Sequence, residues 1–150
     1  VTDYKTTKLL EKVTVTLKNA TGDKNTFETQ SYGSYNFKNV VHGDYTVYAE
    51  KNGYILQSKP VTVEGGGNGK KVSFELKPVY EITPNDGLEL GATANSKRFE
   101  IINNLDQALG FKIINNNKSW FTVEPLEGNI SPNGNSLPIS ITVNRSGLPS

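Results

Sequence analysis

His42 is the only imidazole in this 150-residue chain, and it stands in a Val41-His42-Gly43-Asp44 turn. A serine or cysteine nucleophile needs a base within hydrogen-bond reach and a third group to orient that base. Nothing around His42 supplies either, so it reads as a turn residue. The chain has no cysteine, which removes a thiol nucleophile, a thiolate zinc site and any disulfide. No H-E-x-x-H, Walker A or G-x-S-x-G pattern occurs. The run Gly65-Gly66-Gly67-Asn68-Gly69 lacks the Lys-Ser/Thr pair of a phosphate cradle and reads as a flexible hairpin loop. Glu124 and Glu127 flank Pro125 and resemble a carboxylate pair. A glycosidase pair stands ~5 to 9.5 Å apart inside a substrate cleft, and short strands joined by turns promise no such cleft. The sequence therefore assigns no catalytic residue, no metal site and no cofactor.

Aromatic side chains are the better candidates for recognition. Sugars present C–H faces that stack on rings, so a lectin-like site needs rings that point outward. Alternation places Trp120 opposite to Phe121 and Val123, and Tyr48 opposite to Tyr45 and Val47, while Tyr32 sits in a turn. Trp120, Tyr48 and Tyr32 are thus the candidate glycan-stacking residues. The competing reading makes Trp120 a packing residue and lets Tyr48 cover a sheet face or a contact between the two halves. The exposure of the indole discriminates between them.

The elements that must position these residues are strands. Apolar residues alternate at Val13, Val15 and Leu17, at Tyr35 and Phe37, at Tyr45, Val47 and Ala49, at Val61 and Val63, and at Val72, Phe74 and Leu76. A period of two is a half-buried strand, and Gly22, Gly33, Gly43 and Gly53 mark turns between the runs. Tyr35, Phe37, Tyr45 and Val47 are expected to face inward from adjacent strands. Past Pro78, Phe99 and Ile101, Phe111 and Ile113, Phe121 and Val123, and Ile139, Ile141 and Val143 repeat the pattern. Polar loops are expected around Asn103 and Asn115, with a Pro-x-x-Gly turn at 125–128. About six short strands in this half are the mark of a sandwich. The fold class is all-β: two tandem β-sandwiches over residues 1–77 and 79–150. Each is near the lower size limit for a core without disulfides, so mutual packing is expected.

Sixteen basic and fifteen acidic residues are well mixed and give a net charge of +1, unlike the one-sided basic face of a nucleic-acid binder. No apolar run approaches the ~20 residues of a membrane span. The chain has no methionine, even at position 1, and no signal peptide. It reads as a fragment of a longer exported protein, extracellular or at the cell surface, lipid-anchored or part of a larger assembly of domains. Asn-x-Ser/Thr triplets at Asn19, Asn117, Asn129 and Asn144 read as chance in an Asn-rich chain.

Two stretches carry family resemblances. Gly33-Ser34-Tyr35-Asn36-Phe37, Val40, Gly43-Asp44-Tyr45-Thr46-Val47 and Gly53-Tyr54 resemble the carboxypeptidase regulatory-like domain, a prealbumin-type sandwich. That resemblance implies a non-catalytic accessory despite the name. Where many members carry an acidic loop this chain has Gln30-Ser31-Tyr32, so no calcium is implied. Ser119-Trp120-Phe121-Thr122-Val123-Glu124-Pro125-Leu126-Glu127-Gly128, with Thr142-Val143-Asn144-Arg145-Ser146-Gly147-Leu148, resembles the BACON family. These are immunoglobulin-like modules of gut Bacteroidetes surface proteins associated with carbohydrate binding.

Together the resemblances imply spacer or interaction modules that present further domains of the same protein. The alternative is weak binding of glycans or mucin by exposed aromatics. The BACON pattern continues past R-S-G-L, so the second sandwich is expected to be incomplete, with part of the Phe111, Ile113 and Phe121 face uncovered.

Overall fold

The computed structural model describes residues 1–65, 69–91, 93–115 and 119–146. The expectations placed on Gly66, Gly67 and Asn68, on the Asn117 triplet and on Gly147-Leu148 lie outside them. Among the described residues there is no helix, and the chain divides into two units, Val1–Pro78 and Val79–Ser150. Both are built as the alternation predicts: all-β, in sandwich form.

The first unit holds β1 (Thr2–Asp3), β2 (Thr14–Asn19), β3 (Lys24–Glu28), β4 (Gly43–Glu50), β5 (Gln57–Val63) and β6 (Glu75–Leu76). Strands β3-β2-β4-β5 form an antiparallel sheet, while β1 and β6 pair in parallel. Val13, Val15, Leu17, Val47 and Ala49 from one side meet Leu10, Phe74 and Leu76 from the other, and all eight are buried. Each fully buried large side chain contributes about 1.5–3 kcal/mol.

Two expectations change here. Tyr35 and Phe37 do not lie on a strand, because residues 33–40 are irregular. Their rings still pack half-buried against the core, 5.8 Å apart and edge to face. The run at 72–76 is strand only at its end, for a visible reason: side chains replace ladder bonds. The Tyr35 hydroxyl donates to the Val72 carbonyl, Lys59 Nζ to that of Ser73 and Gln57 Nε2 to that of Glu75, each at 2.6 Å.

Gly33, as expected, sits where the chain reverses, with φ of 59°. A Cβ there would strike the Val1 carbonyl oxygen and come within 3.2 Å of the Leu10 nitrogen, so only glycine fits.

The second unit holds β7 (Tyr80–Thr83), β8 (Ser96–Asn103), β9 (Leu109–Lys112), β10 (Phe121–Glu124), β11 (Glu127–Ile130) and β12 (Ser136–Val143). The sheet β10-β12-β8-β7 is antiparallel, and β9 and β11 form a second, two-stranded one. The core is Ile101, Val123, Ile130 and Ile139, with Phe99, Phe111, Ile113 and Phe121 packed half-buried against it.

The Pro-x-x-Gly segment is not a turn. The Leu126 carbonyl accepts the Ile113 N–H at 2.7 Å, and a bend at Leu126 carries the chain from β10 in one sheet to β11 in the other. Gly128 is opposite Phe111, where a Cβ would lie 3.2 Å from the ring; the glycine serves that ring.

Asn103, expected in a polar loop, is fully buried at the end of β8. Its amide nitrogen donates to the carbonyls of Gln107, Ile130 and Ser131 at 2.8, 3.0 and 3.1 Å, and its oxygen accepts the Leu105 N–H at 2.9 Å.

Candidate functional site

Tyr32 lies in the turn closed by the Gly33 N–H and the Gln30 carbonyl at 2.8 Å, and is 77 % exposed. Tyr48 sits at the middle of β4, flanked across the sheet by Thr16 and Ser58. It faces away from the core residues Val47 and Ala49 and is half-buried among its neighbours. Both rings belong to the first unit, and no ring contact joins them among the described residues.

Trp120 belongs to the second unit. It precedes β10 in a turn at Ser119-Trp120, and its carbonyl accepts the Asn144 N–H at 2.8 Å beyond the end of β12. Its ring packs against the neighbouring Phe121 ring, with centroids 4.6 Å apart and planes at 57°. The indole is nevertheless 44 % exposed. Packing and exposure hold together: one part of the indole shields Phe121 and the remainder meets solvent.

The residues weighed for catalysis are not gathered. His42 is exposed at the mouth of a cleft of about 400 Å³ floored by Leu17, Val47, Val61 and Val63. Glu127 makes a loose ion pair with Lys112 at 3.8 Å on the surface of the second unit, and Glu124 is exposed at the end of β10. Among the described residues no three histidines or carboxylates converge on one point.

The best-formed polar cluster is at Asp3, which sequence reasoning missed. Its Oδ1 accepts the N–H groups of Lys5 and Thr6 at 3.0 and 2.7 Å and the Thr6 hydroxyl at 2.8 Å; its Oδ2 accepts the Tyr54 hydroxyl at 3.0 Å. Burial pushes the carboxyl up, but these hydrogen bonds outweigh it and hold the pKa below the usual carboxylate value. Burial, and then the Asp3 partner, push the Tyr54 phenol up. The cluster fastens the first strand and the loop after it, and its signal was the spacing Asp3-x-x-Thr6, an Asx-type turn.

The profile of the carboxypeptidase regulatory-like domain matches residues 1–77. The chain belongs to that family. The profile of a viral BACON domain matches residues 79–149, so the two resemblances read from Gly33-to-Tyr54 and from Trp120-to-Arg145 are both present, in that order. No curated protein and no solved structure matches the chain. The carboxypeptidase regulatory-like and BACON families are both families of non-catalytic modules.

Proposed function

We propose that this chain is a pair of non-catalytic spacer and interaction modules that holds other domains of a longer exported protein away from a surface. One observation carries the reading: two module families stand in tandem, each with its own core, and no residue between them is unclaimed. Pro78 pairs with Tyr54 in the first unit, and the Val79 carbonyl accepts the Asn104 N–H at 3.1 Å in the second. The viral description of the second profile sets a virion surface beside a cell surface as the carrier; immunogold labelling of virions and of intact cells separates the two.

The test is display. A reporter domain fused after Ser150, with a surface anchor before Val1, should be accessible to antibody on intact cells. Accessibility should survive replacement of both units by unrelated sandwiches of equal length. Display that depends on these particular sequences would sink the spacer role. Peptide and glycoside substrates should not be turned over; reproducible turnover that disappears in Glu124→Gln or Glu127→Gln would overturn the non-catalytic reading.

Direct, weak glycan binding is the second reading, favoured by the exposure of Trp120 and Tyr32. A shallow aromatic platform buries little area, so affinities of about 1 mM are expected. Binding that persists in the combined Trp120→Ala, Tyr48→Ala and Tyr32→Ala variant would show that the rings are not the platform.

A further inference from the structure

The ten threonines of the first unit fall into two classes. Thr2, Thr6, Thr7, Thr21, Thr29 and Thr62 each donate their hydroxyl to another protein group. The other four, Thr14, Thr16, Thr26 and Thr46, have hydroxyls with no protein partner among the described residues, and all four point from one face of one sheet. That face is the outer side of β3-β2-β4-β5. The cross-strand register lines up Thr26, Thr16, Tyr48 and Ser58 in a single row. Neither the Tyr48 nor the Ser58 hydroxyl has a protein partner among the described residues either. The row crosses three strand spacings, about 14 Å, and consists of hydroxyls around one ring.

Charges flank this row in an arrangement that does not favour folding. Lys18 is directly opposite Lys24 on one side, and Glu28 and Glu50 stand on either side of Thr14 on the other. Like charges opposite one another destabilise a sheet, and exchanging one lysine for a glutamate would remove the repulsion. The cations and anions are instead sorted into two strips with a neutral strip between.

We infer that this face binds a neutral, hydroxyl-rich polysaccharide lying across the strands along the Thr26-Thr16-Tyr48-Ser58 row. The sugar C–H face stacks on Tyr48, and sugar hydroxyls bond to the uncommitted hydroxyls and, at the flanks, to lysine donors and glutamate acceptors. The occupant is fixed by exclusion as well as fit. Strands β2 and β4 are paired on both sides, so a peptide finds no free backbone there, and Lys18 and Lys24 balance Glu28 and Glu50, so the face has no net charge to hold an anionic polymer. This inference rests on the glycan reading above and assigns it a place in the first unit.

The test uses the whole 150-residue chain and affinity gel electrophoresis against soluble neutral β-glucan, xylan and galactomannan, with alginate as the anionic comparison. Retardation by at least one neutral polymer and not by alginate is expected. Tyr48→Ala should weaken it roughly tenfold, the loss of one ring contact, while Ile114→Ala, at an exposed apolar residue of the second unit, leaves it unchanged. The double variant Thr16→Val, Ser58→Ala keeps the ring and the sheet and should also weaken binding, which guards against a Tyr48 variant that merely unfolds. No retardation by any neutral polymer overturns the inference. Binding lost in Trp120→Ala but kept in Tyr48→Ala also overturns it, yet leaves the broader glycan reading standing with its site in the BACON unit.

Discussion

The two units solve one problem, fixing a loop to a strand end inside a small core, with different chemistry. The carboxypeptidase regulatory-like unit uses the carboxylate of Asp3, which can only accept, and so gathers N–H and O–H groups from Lys5, Thr6 and Tyr54. The BACON unit uses the amide of Asn103, which donates and accepts, and so gathers three carbonyls and one N–H. Among the described residues the first unit adds a core cluster of eight buried apolar side chains, and the corresponding cluster of the second has four. The smaller core leans harder on its polar anchor, and only the larger one carries an anchor that titrates.

Removing the amide is the most severe way to break that contrast. Asn103→Leu leaves the buried Ile130 carbonyl and the part-buried Gln107 and Ser131 carbonyls without this donor, a loss of about 4 kcal/mol. Amide exchange across β8 and β11 should rise while that of β2 and β4 holds. Phe74→Ala is the counterpart in the first unit. It empties a fully buried ring site at about 3–4 kcal/mol, read as a lower denaturant midpoint for the exchange of β2 and β4. Gly33→Ala should cost about 2 kcal/mol in the same assay, since a positive φ and a backbone clash act together.

Acid sharpens the comparison further. Asp3 has a lowered folded pKa, so its contribution is fully present above the unfolded carboxylate value of about 3.9. It is lost as pH falls through the lowered folded value. Protection around Asp3 should therefore drop as pH falls below about 4, and in Tyr54→Phe the drop should begin at a higher pH. Asn103 has no proton to lose, and its loop should stay protected by this route. The smallest change is Trp120→Ala, about 1 kcal/mol or less, seen as a slight fall in the melting temperature of the second unit.

Much of this fold is legible in the sequence because burial on one sheet face writes itself as alternation. Val13, Val15 and Leu17 are buried with Thr14 exposed between the first two, and Ile139 and Val143 are buried on β12. The same logic reaches Asn103: continuing Phe99 and Ile101 by two puts it on the inner face, and only its polarity disguised it. What escaped did so for physical reasons. Strand β3 is an edge with a single half-buried residue, Phe27, so it leaves almost no pattern. Residues 33–40 keep the apolar pattern of a strand without its ladder, and the Tyr35 hydroxyl ties the segment to the Val72 carbonyl instead. The candidate ring positions were legible, but the uncommitted hydroxyls beside Tyr48 were not, since commitment depends on partners distant in the chain.

The parallel pairing of β1 with β6 has a mechanical meaning. These are the first and last strands of their unit, so tension between its two ends drags one along the other in opposite directions. The bonds from Thr2 N–H to the Phe74 carbonyl and from Tyr4 N–H to the Leu76 carbonyl, both 2.9 Å, lie across that pull. They are loaded together and must break together, whereas a hairpin pulled at its open end unzips one bond at a time. Forced unfolding is governed by the height of that barrier rather than by equilibrium stability. A bead gripped in this way yields late when a moving surface tugs on the chain.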